Sequence, residues 1–413
     1  SMQHAPTVKE TREAVVSLKS KLYKSAGPDM VTNWMLVWGG EPVIDVLQAL
    51  FERAWNENSL PEQWCEATIS YLYKGSGRKT EISNYRPISL ISVIGKTFTR
   101  AWLPRLVAKV APQLVQEQGC GRKGQGSMEQ LWAFLDMTEE SLEGKDEPNK
   151  EKGLYAMFAD VHKAYDQVWR DGLYLTLYAT GVRGNMWKII QQWLNRANAT
   201  TAWNGIRGPR VNLQQGLRQG CVLSPILYCA FVNMLMAEKP GALVPMGMRT
   251  EIKEFFGQGL QMVPQDDSEC GVLNTALKRR VRCLLFMDDT TLLAKSKKGL
   301  ETLIGAYQNF CSKFRMRLNV KKSQLMHFTK EDDDELEVVS KGVTFSTPKN
   351  PKRELLKERI RSLESEVEES LLAFYSGTAW LGAEYLAELW ATSRTEISTL
   401  KAQVAELGCS KKF

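Results

Sequence analysis

Histidine is nearly missing from this chain: there are three in 413 residues. The cysteines stand at 65, 120, 221, 229, 270, 283, 311 and 409, and no two of them have Cys-x-x-Cys spacing. Zinc fingers and knuckles need Cys and His at short fixed intervals, so the chain argues against those modules. Scattered thiols fit reduced, mostly buried cysteines, which points to an intracellular setting, nuclear or cytoplasmic. No run of 18 apolar residues occurs, which argues against a membrane-spanning helix and a membrane partner. The N-terminus is polar and shows no secretory signal pattern, and no repeat at solenoid periods is visible. Neither sign of charge dominates. Lys plus Arg total 54 against 47 Asp plus Glu, a net +7 that permits a polyanion partner without demanding one.

The chain does have enough apolar residues for a substantial core, 43% hydrophobic, and enough length for two or three units or one multi-lobed body. Helical periodicity covers 8–56, broken by the turn signal Lys24-Ser-Ala-Gly-Pro-Asp29. Further helices are predicted near 94–110, 126–142, 164–180, 184–197, from Ser224 to about Glu238, and near 298–313. Strands are predicted at Ala67–Tyr73, Leu154–Ala159, around Gln324–Thr329, and in a hairpin near Gly205 and Gly208. Residues 239–276 lack a pattern and read as an insertion or long loop; Glu331–Glu337 reads as an acidic solvated loop. From Lys352 onward apolar residues recur every three or four positions. The order of elements gives an α+β fold.

Chemistry concentrates in three segments. In Arg282-Cys-Leu-Leu-Phe-Met-Asp-Asp-Thr-Thr-Leu-Leu-Ala294 an apolar hairpin carries two adjacent carboxylates, Asp288 and Asp289, at its tip. Like charges so close raise each other's pKa unless a cation intervenes. All-oxygen donors favour Mg²⁺, with Mn²⁺ as the alternative ion, and metals held by carboxylates serve in-line phosphoryl transfer. In Phe158-Ala-Asp-Val-His-Lys-Ala-Tyr-Asp-Gln-Val168 a strand ends on Asp160. In Gln214-Gln-Gly-Leu-Arg-Gln-Gly-Cys-Val-Leu-Ser-Pro225 the paired glycines allow close approach of a ligand and Ser224-Pro225 opens a helix. Alone, each segment has an ordinary structural reading as a surface turn or a loop before a helix. His162 reads as structural or exposed, and Asp166 as a structural acid.

Together and in this order the segments resemble the motifs of reverse transcriptases, above all those of non-LTR (LINE-type) retrotransposons and of group II introns. Phe286-Met-Asp-Asp289 is similar to the family's aromatic-x-Asp-Asp box, and Gln219-Gly-Cys-Val-Leu-Ser-Pro225 to its Gln-Gly-x-x-x-Ser-Pro motif. Asn84-Tyr-Arg-Pro-Ile-Ser-Leu90, Lys24–Asp29, Gln118-Gly-Cys-Gly-Arg122 and Leu318-Asn-Val-Lys-Lys-Ser323 resemble flanking motifs, so the likeness spans roughly residues 10–345. The resemblance implies a right-hand polymerase: an N-terminal helical extension (1–60), fingers (61–150), a palm whose antiparallel sheet bears the aspartates (151–345, with the insertion 239–276), and a helical thumb or coiled-coil-like tail (346–413). It implies RNA-templated addition of dNTPs to a primer 3′-hydroxyl, with RNA template, DNA primer or RNA–DNA hybrid, and dNTP as partners. Asp160, Asp288 and Asp289 would be catalytic, and with the Val161 carbonyl would hold two Mg²⁺ ions about 3.5–4 Å apart. Lys74, Arg86, Tyr165, Gln219, Gly220 and Lys322 would bind the nucleotide. Tyr165 lies under its sugar in this reading, which favours dNTP over NTP and argues against RNA synthesis.

The family's primer grip is altered here. Val339-Ser-Lys-Gly-Val-Thr-Phe345 keeps only its glycine and a β-like run. A second reading therefore stands beside the first, a catalytically impaired domain of this kind that binds RNA or scaffolds a complex. Residues 352–407 read as a thumb, or as a helical partner or self-association surface. No endonuclease pattern lies upstream and no RNase H acid cluster downstream, so the expectation is a fragment or a stand-alone descendant.

Overall fold

The structure is a computed structural model that describes residues 2–75, 77–122, 124–143, 153–203, 205–236, 269–274, 279–328 and 337–346, with Glu396 and Thr399. Apart from Ser346, Glu396 and Thr399, the segment 346–413 read as a thumb or coiled coil thus lies outside the described residues, as do most of the segments 239–276 and 331–337.

The N-terminal helices form because local signals and apolar spacing agree. Helix α1 (Val8–Val16) opens on a capping box: Glu10 N donates to Thr7 Oγ1 and Thr7 N donates to the Glu10 carboxylate. After the short α2 (Asn33–Trp38), α3 (Gly40–Asn56) buries Ile44, Leu47, Phe51, Ala54 and Trp55, one stripe of a 3.6-residue period. A single turn, α4 (Glu62–Cys65), adds Trp64, and α5 (Val93–Val110), capped by Ser92 Oγ, adds Phe98 and Trp102. Phe98 lies edge-on to Phe51 (5.2 Å between ring centroids), Trp55 (6.2 Å) and Trp102 (6.3 Å), and tilted on Trp64 (5.1 Å).

Two four-stranded sheets stand beside this cluster. The first has the order β2–β1–β4–β5, from β1 (Glu66–Tyr73), β2 (Tyr85–Ile91), β4 (Asn198–Trp203) and β5 (Ile206–Asn212); β1 runs parallel to β4 and the other pairs are antiparallel. One sheet thus joins strands from the two segments read as 61–150 and 151–345, which interleave in space.

The second sheet is antiparallel throughout, in the order β10–β3–β9–β8: β3 (Leu154–Ala159), β8 (Cys283–Phe286), β9 (Asp289–Ala294) and β10 (Gln324–Phe328). Both its faces are covered. Leu154, Ala156, Leu284 and Leu293 pack with Met137 of α6 (Ser127–Glu143) and with Val272 and Val281. Met157, Ala159, Leu285, Leu292 and Ala294 join the main core, which also takes the apolar faces of α7 (Arg170–Ala179), α8 (Gly184–Asn195), α9 (Ser224–Val232) and α10 (Lys297–Lys313). This double burial explains why the strands read as continuous apolar runs rather than alternating ones.

Two sequence expectations change. Residues 164–167 are turn and 168–169 irregular rather than helix, and α7 starts only at Arg170; Lys163 takes a positive φ of 46°, which breaks the helical path. Within the presumed insertion 239–276, residues Val272–Asn274 are strand rather than loop. Cys270 and Val272 are fully buried, and β6 (Val272–Asn274) pairs with β7 (Arg279–Val281); Val272 completes the apolar layer over the second sheet, while Cys270 joins the main core. β11 (Glu337–Ser340) and β12 (Val343–Ser346) form a further two-stranded hairpin.

Candidate active site

The aspartates meet at one end of the second sheet. The last register pair of β3 and β9 is Ala159–Thr290, so Asp160 leaves the sheet where the Phe286–Asp289 turn closes it. The turn is a two-residue connection, Met287-Asp288, and Met287 holds a φ of 55°, unusual for a side chain of that size. Two neighbours hold it. Gln118 Oε1 accepts from Met287 N (3.4 Å), and Tyr165 Oη contacts Met287 Sδ (3.6 Å). Gln118 is placed by main-chain bonds of Glu117 and Gly119 to Leu285, which extend the sheet past β8. This is the structural work of the Gln118–Arg122 motif.

Asp160 itself is buried, 8% exposed. Its Oδ2 accepts from Asn319 Nδ2 (2.9 Å), its main-chain oxygen from Asn319 N (2.8 Å), and its N donates to Ser323 Oγ (3.1 Å). Val161 bridges Leu318, with ladder bonds made by Asp160 O and His162 N on either side, so the bridge does not use the Val161 carbonyl. His162 is exposed beside Gln167.

Tyr165 is half-buried, stacked on Tyr228 at 4.9 Å and 11°. Burial, then the charge of Asp288, push the Tyr165 hydroxyl well above its ordinary pKa, so it stays a neutral donor. Burial also raises the pKa of Asp166. The nearby Cys120 thiol is drawn down to about 7 by its hydrogen bond with Cys229.

The 213–220 loop is pinned against this end of the sheet. Gly216 N donates to Val168 O and Leu217 N to Tyr165 O (2.7 Å). Gly216 has φ +81°, and a Cβ there would stand 2.6 Å from Asp166 O, so only glycine fits. Ser89 N on β2 donates to Gln219 O (2.8 Å), and a Cβ on Gly220 would meet Ser89 O at 2.9 Å. Tyr165, Gln219 and Gly220 therefore lie along one path from the aspartate end to β2. Lys74 and Arg86 do not share that packing. Arg86 is exposed on β2, and Lys74 Nζ donates to Ser83 O (2.7 Å) inside the β1–β2 hairpin. Lys322 is exposed in the turn before β10.

Several residues that build the site carry no sequence signal of their role. Buried Arg170 donates to the carbonyls of Leu213, Gln215 and Gly216. Buried Arg218 donates to the carbonyls of Cys65 and Trp193 and lies over the Trp193 ring. Arginine is mostly a surface residue, so two core guanidinium groups that brace a loop are invisible to hydropathy. Asn319 and Gln118 lie within quoted motifs without an assigned role.

The donors fit a divalent ion. They are carboxylate and main-chain oxygens, with one carboxylate already oriented by an amide. Among the described residues no three His, Cys, Asp or Glu side chains gather as a cage. Mg²⁺ does not need one, because it is commonly held by one or two carboxylates with water and substrate phosphates.

The family model described as reverse transcriptase (RNA-dependent DNA polymerase) matches residues 77–354. The "RNA-directed DNA polymerase from mobile element jockey" of Drosophila melanogaster is 25% identical over 328 residues, 77% of this chain and 31% of that protein. The "Probable RNA-directed DNA polymerase from transposon X-element" of the same species is 27% identical over 220 residues, 53% of this chain and 24% of that protein. The chain thus spans a third or less of these relatives. Among solved structures, apo telomerase from Candida Tropicalis, truncated from its C-terminal domain, aligns at TM-score 0.43 and 12% identity over 70% of this chain and 54% of that one, too distant to bear on the site. The family match runs from the tip of the first hairpin through both aspartate segments to the last described strand, and on it this chain belongs to the reverse transcriptase (RNA-dependent DNA polymerase) family.

Proposed function

We propose that this chain is the polymerase core of a LINE-like RNA-directed DNA polymerase, or of a cellular descendant of one. It adds dNTPs to a primer 3′-hydroxyl paired to an RNA template. The observation that carries the reading is the delivery of Asp160 and the Asp288-Asp289 turn to the same sheet end, with Tyr165 beneath the turn. In this reading the β10–β3–β9–β8 sheet is the palm and the β2–β1–β4–β5 sheet belongs to the fingers. Asp160, Asp288, Asp289 and the Val161 carbonyl hold two Mg²⁺ ions, with Mn²⁺ as substitute. When bound, such ions activate the attacking hydroxyl and neutralise the triphosphate. Arg86 and Lys74, on the hairpin, clamp the phosphates, for which a guanidinium gives bidentate bonds. Gln219 and Gly220 shape the pocket for the nascent base pair, and Lys322 acts near the leaving group. RNA, a DNA primer or hybrid, and dNTP are the partners.

The test is primer extension on poly(rA)/oligo(dT) with and without Mg²⁺. Metal-dependent incorporation of dTTP, and little of UTP, is expected. RNA binding without any extension would instead favour the scaffold reading, in which the altered primer grip has lost its hold on a primer.

Sugar choice gives a second measurable outcome. The Tyr165 ring is fixed on one side by Tyr228 and at its hydroxyl by Met287. Tyr165→Ala opens space under the sugar and should lower the dTTP-over-UTP ratio of kcat/KM by roughly one to two orders of magnitude. Tyr165→Phe keeps the ring and should keep most of the selectivity. An unchanged ratio in Tyr165→Ala would remove Tyr165 from the nucleotide site.

A further inference from the structure

Asp160 sits in a closed ring of hydrogen bonds with two residues more than 150 positions away. Asp160 N donates to Ser323 Oγ (3.1 Å), Ser323 Oγ donates to Asn319 O (2.9 Å), and Asn319 N donates back to Asp160 O (2.8 Å). Inside the ring, Asn319 Nδ2 donates to Asp160 Oδ2 (2.9 Å). Ser323 is 5% exposed, so the ring is largely shielded from water. The segment is anchored from the other side as well, because Arg317 N donates to Gln167 Oε1 (2.8 Å) and His162 N to Arg317 O (2.9 Å).

The residue types matter. A carboxylate that binds a cation must keep its charge and must not rotate. Lys or Arg at 319 would fix the carboxylate but compete with the ion, and Asp or Glu would repel it. A neutral amide orients one oxygen and leaves the charge in place. Serine at 323 both accepts and donates, which its place in the ring requires. We propose that Asn319 and Ser323 are positioning residues for Asp160, fixing its main chain and one carboxylate oxygen so that it binds a divalent cation. This rests on the polymerase reading above and adds to it an outer shell for the first aspartate.

Outer partners of metal ligands commonly contribute 10- to 100-fold to metal affinity. The experiment follows two quantities in Asn319→Ala: the Mg²⁺ concentration that half-saturates extension of oligo(dT) on poly(rA), and Mn²⁺ binding to the protein by electron paramagnetic resonance. Both midpoints should rise about 10- to 100-fold, with extension largely recovered at saturating Mg²⁺. A merely structural role would lower the melting temperature and leave both midpoints unmoved, and that result in a folded variant overturns the proposal. Should Asn319→Ala not fold, Ser323→Ala and Ser323→Thr read the same quantities, the first shifting them and the second restoring them; equal midpoints in these two overturn it too. Asp160→Asn separates the layers. If that variant extends primers normally, the assignment of Asp160 as a metal ligand fails and this inference with it. If it is inactive while Asn319→Ala keeps wild-type midpoints, the positioning role alone fails.

Discussion

Asp288→Asn should lower primer extension by about three orders of magnitude, near 4 kcal/mol of barrier, while the affinity for primer–template stays close to wild type. The substitution keeps size and shape and removes one charge at the point where metals would be held. Asp288 lies in the connection between β8 and β9, outside the paired residues, so its side chain supports no strand register. Its field already reaches Tyr165 and Tyr228, as the raised pKa values of both hydroxyls register behind the larger effect of burial. Asp289, the first residue of β9 and exposed, should give a smaller loss as Asn. Single-nucleotide extension gives the rate and fluorescence anisotropy of a labelled hybrid gives binding. Extension at wild-type rate in Asp288→Asn would sink the metal assignment. Equal loss of binding and extension would mean that the turn, not the charge, had been damaged.

How much of this was legible in the sequence depends on the kind of signal. The β8–β9 hairpin and the strand ending at Asp160 could be read because apolar runs bounded by charge are local patterns. The convergence of Asp160 on the turn is long-range, and only the order of motifs within a known family hinted at it. The apolar spacing of 164–169 is helical, yet Lys163 in the left-handed region and the bonds from Gly216 and Leu217 hold this segment out of helix. No sequence pattern marks the three-residue strand that begins at Val272, because its burial is set by partners later in the chain, Val281 and Leu284. The bracing roles of Arg170, Arg218 and Asn319 depend on carbonyls and a carboxylate brought in by folding, so a side-chain type at one position cannot reveal them.

The core beneath the first sheet makes the other large expected effect. Phe98→Ala should destabilise the protein by about 3–5 kcal/mol. Phe98 is fully buried and touches four other rings, from α3, α4 and its own helix α5. Edge-to-face pairs of this kind contribute about 0.5–1.5 kcal/mol each beyond area burial, and the void left among rigid indoles cannot collapse easily. Against a typical total of about 5–15 kcal/mol, that is a large fraction of stability. The shift is measured as the urea midpoint at unchanged slope. The cluster also fixes where β1 begins, since Trp64 and Cys65 lead directly into it and the Cys65 carbonyl receives Arg218. Loosening it should therefore weaken the 213–220 loop at temperatures where the protein is still folded, and raise KM for dTTP before it alters the Mg²⁺ midpoint set at Asp160. A Phe98→Ala protein that moves the Mg²⁺ midpoint as far as Asn319→Ala would mean that the two sheets, and not the Asn319–Ser323 ring, control how Asp160 is held.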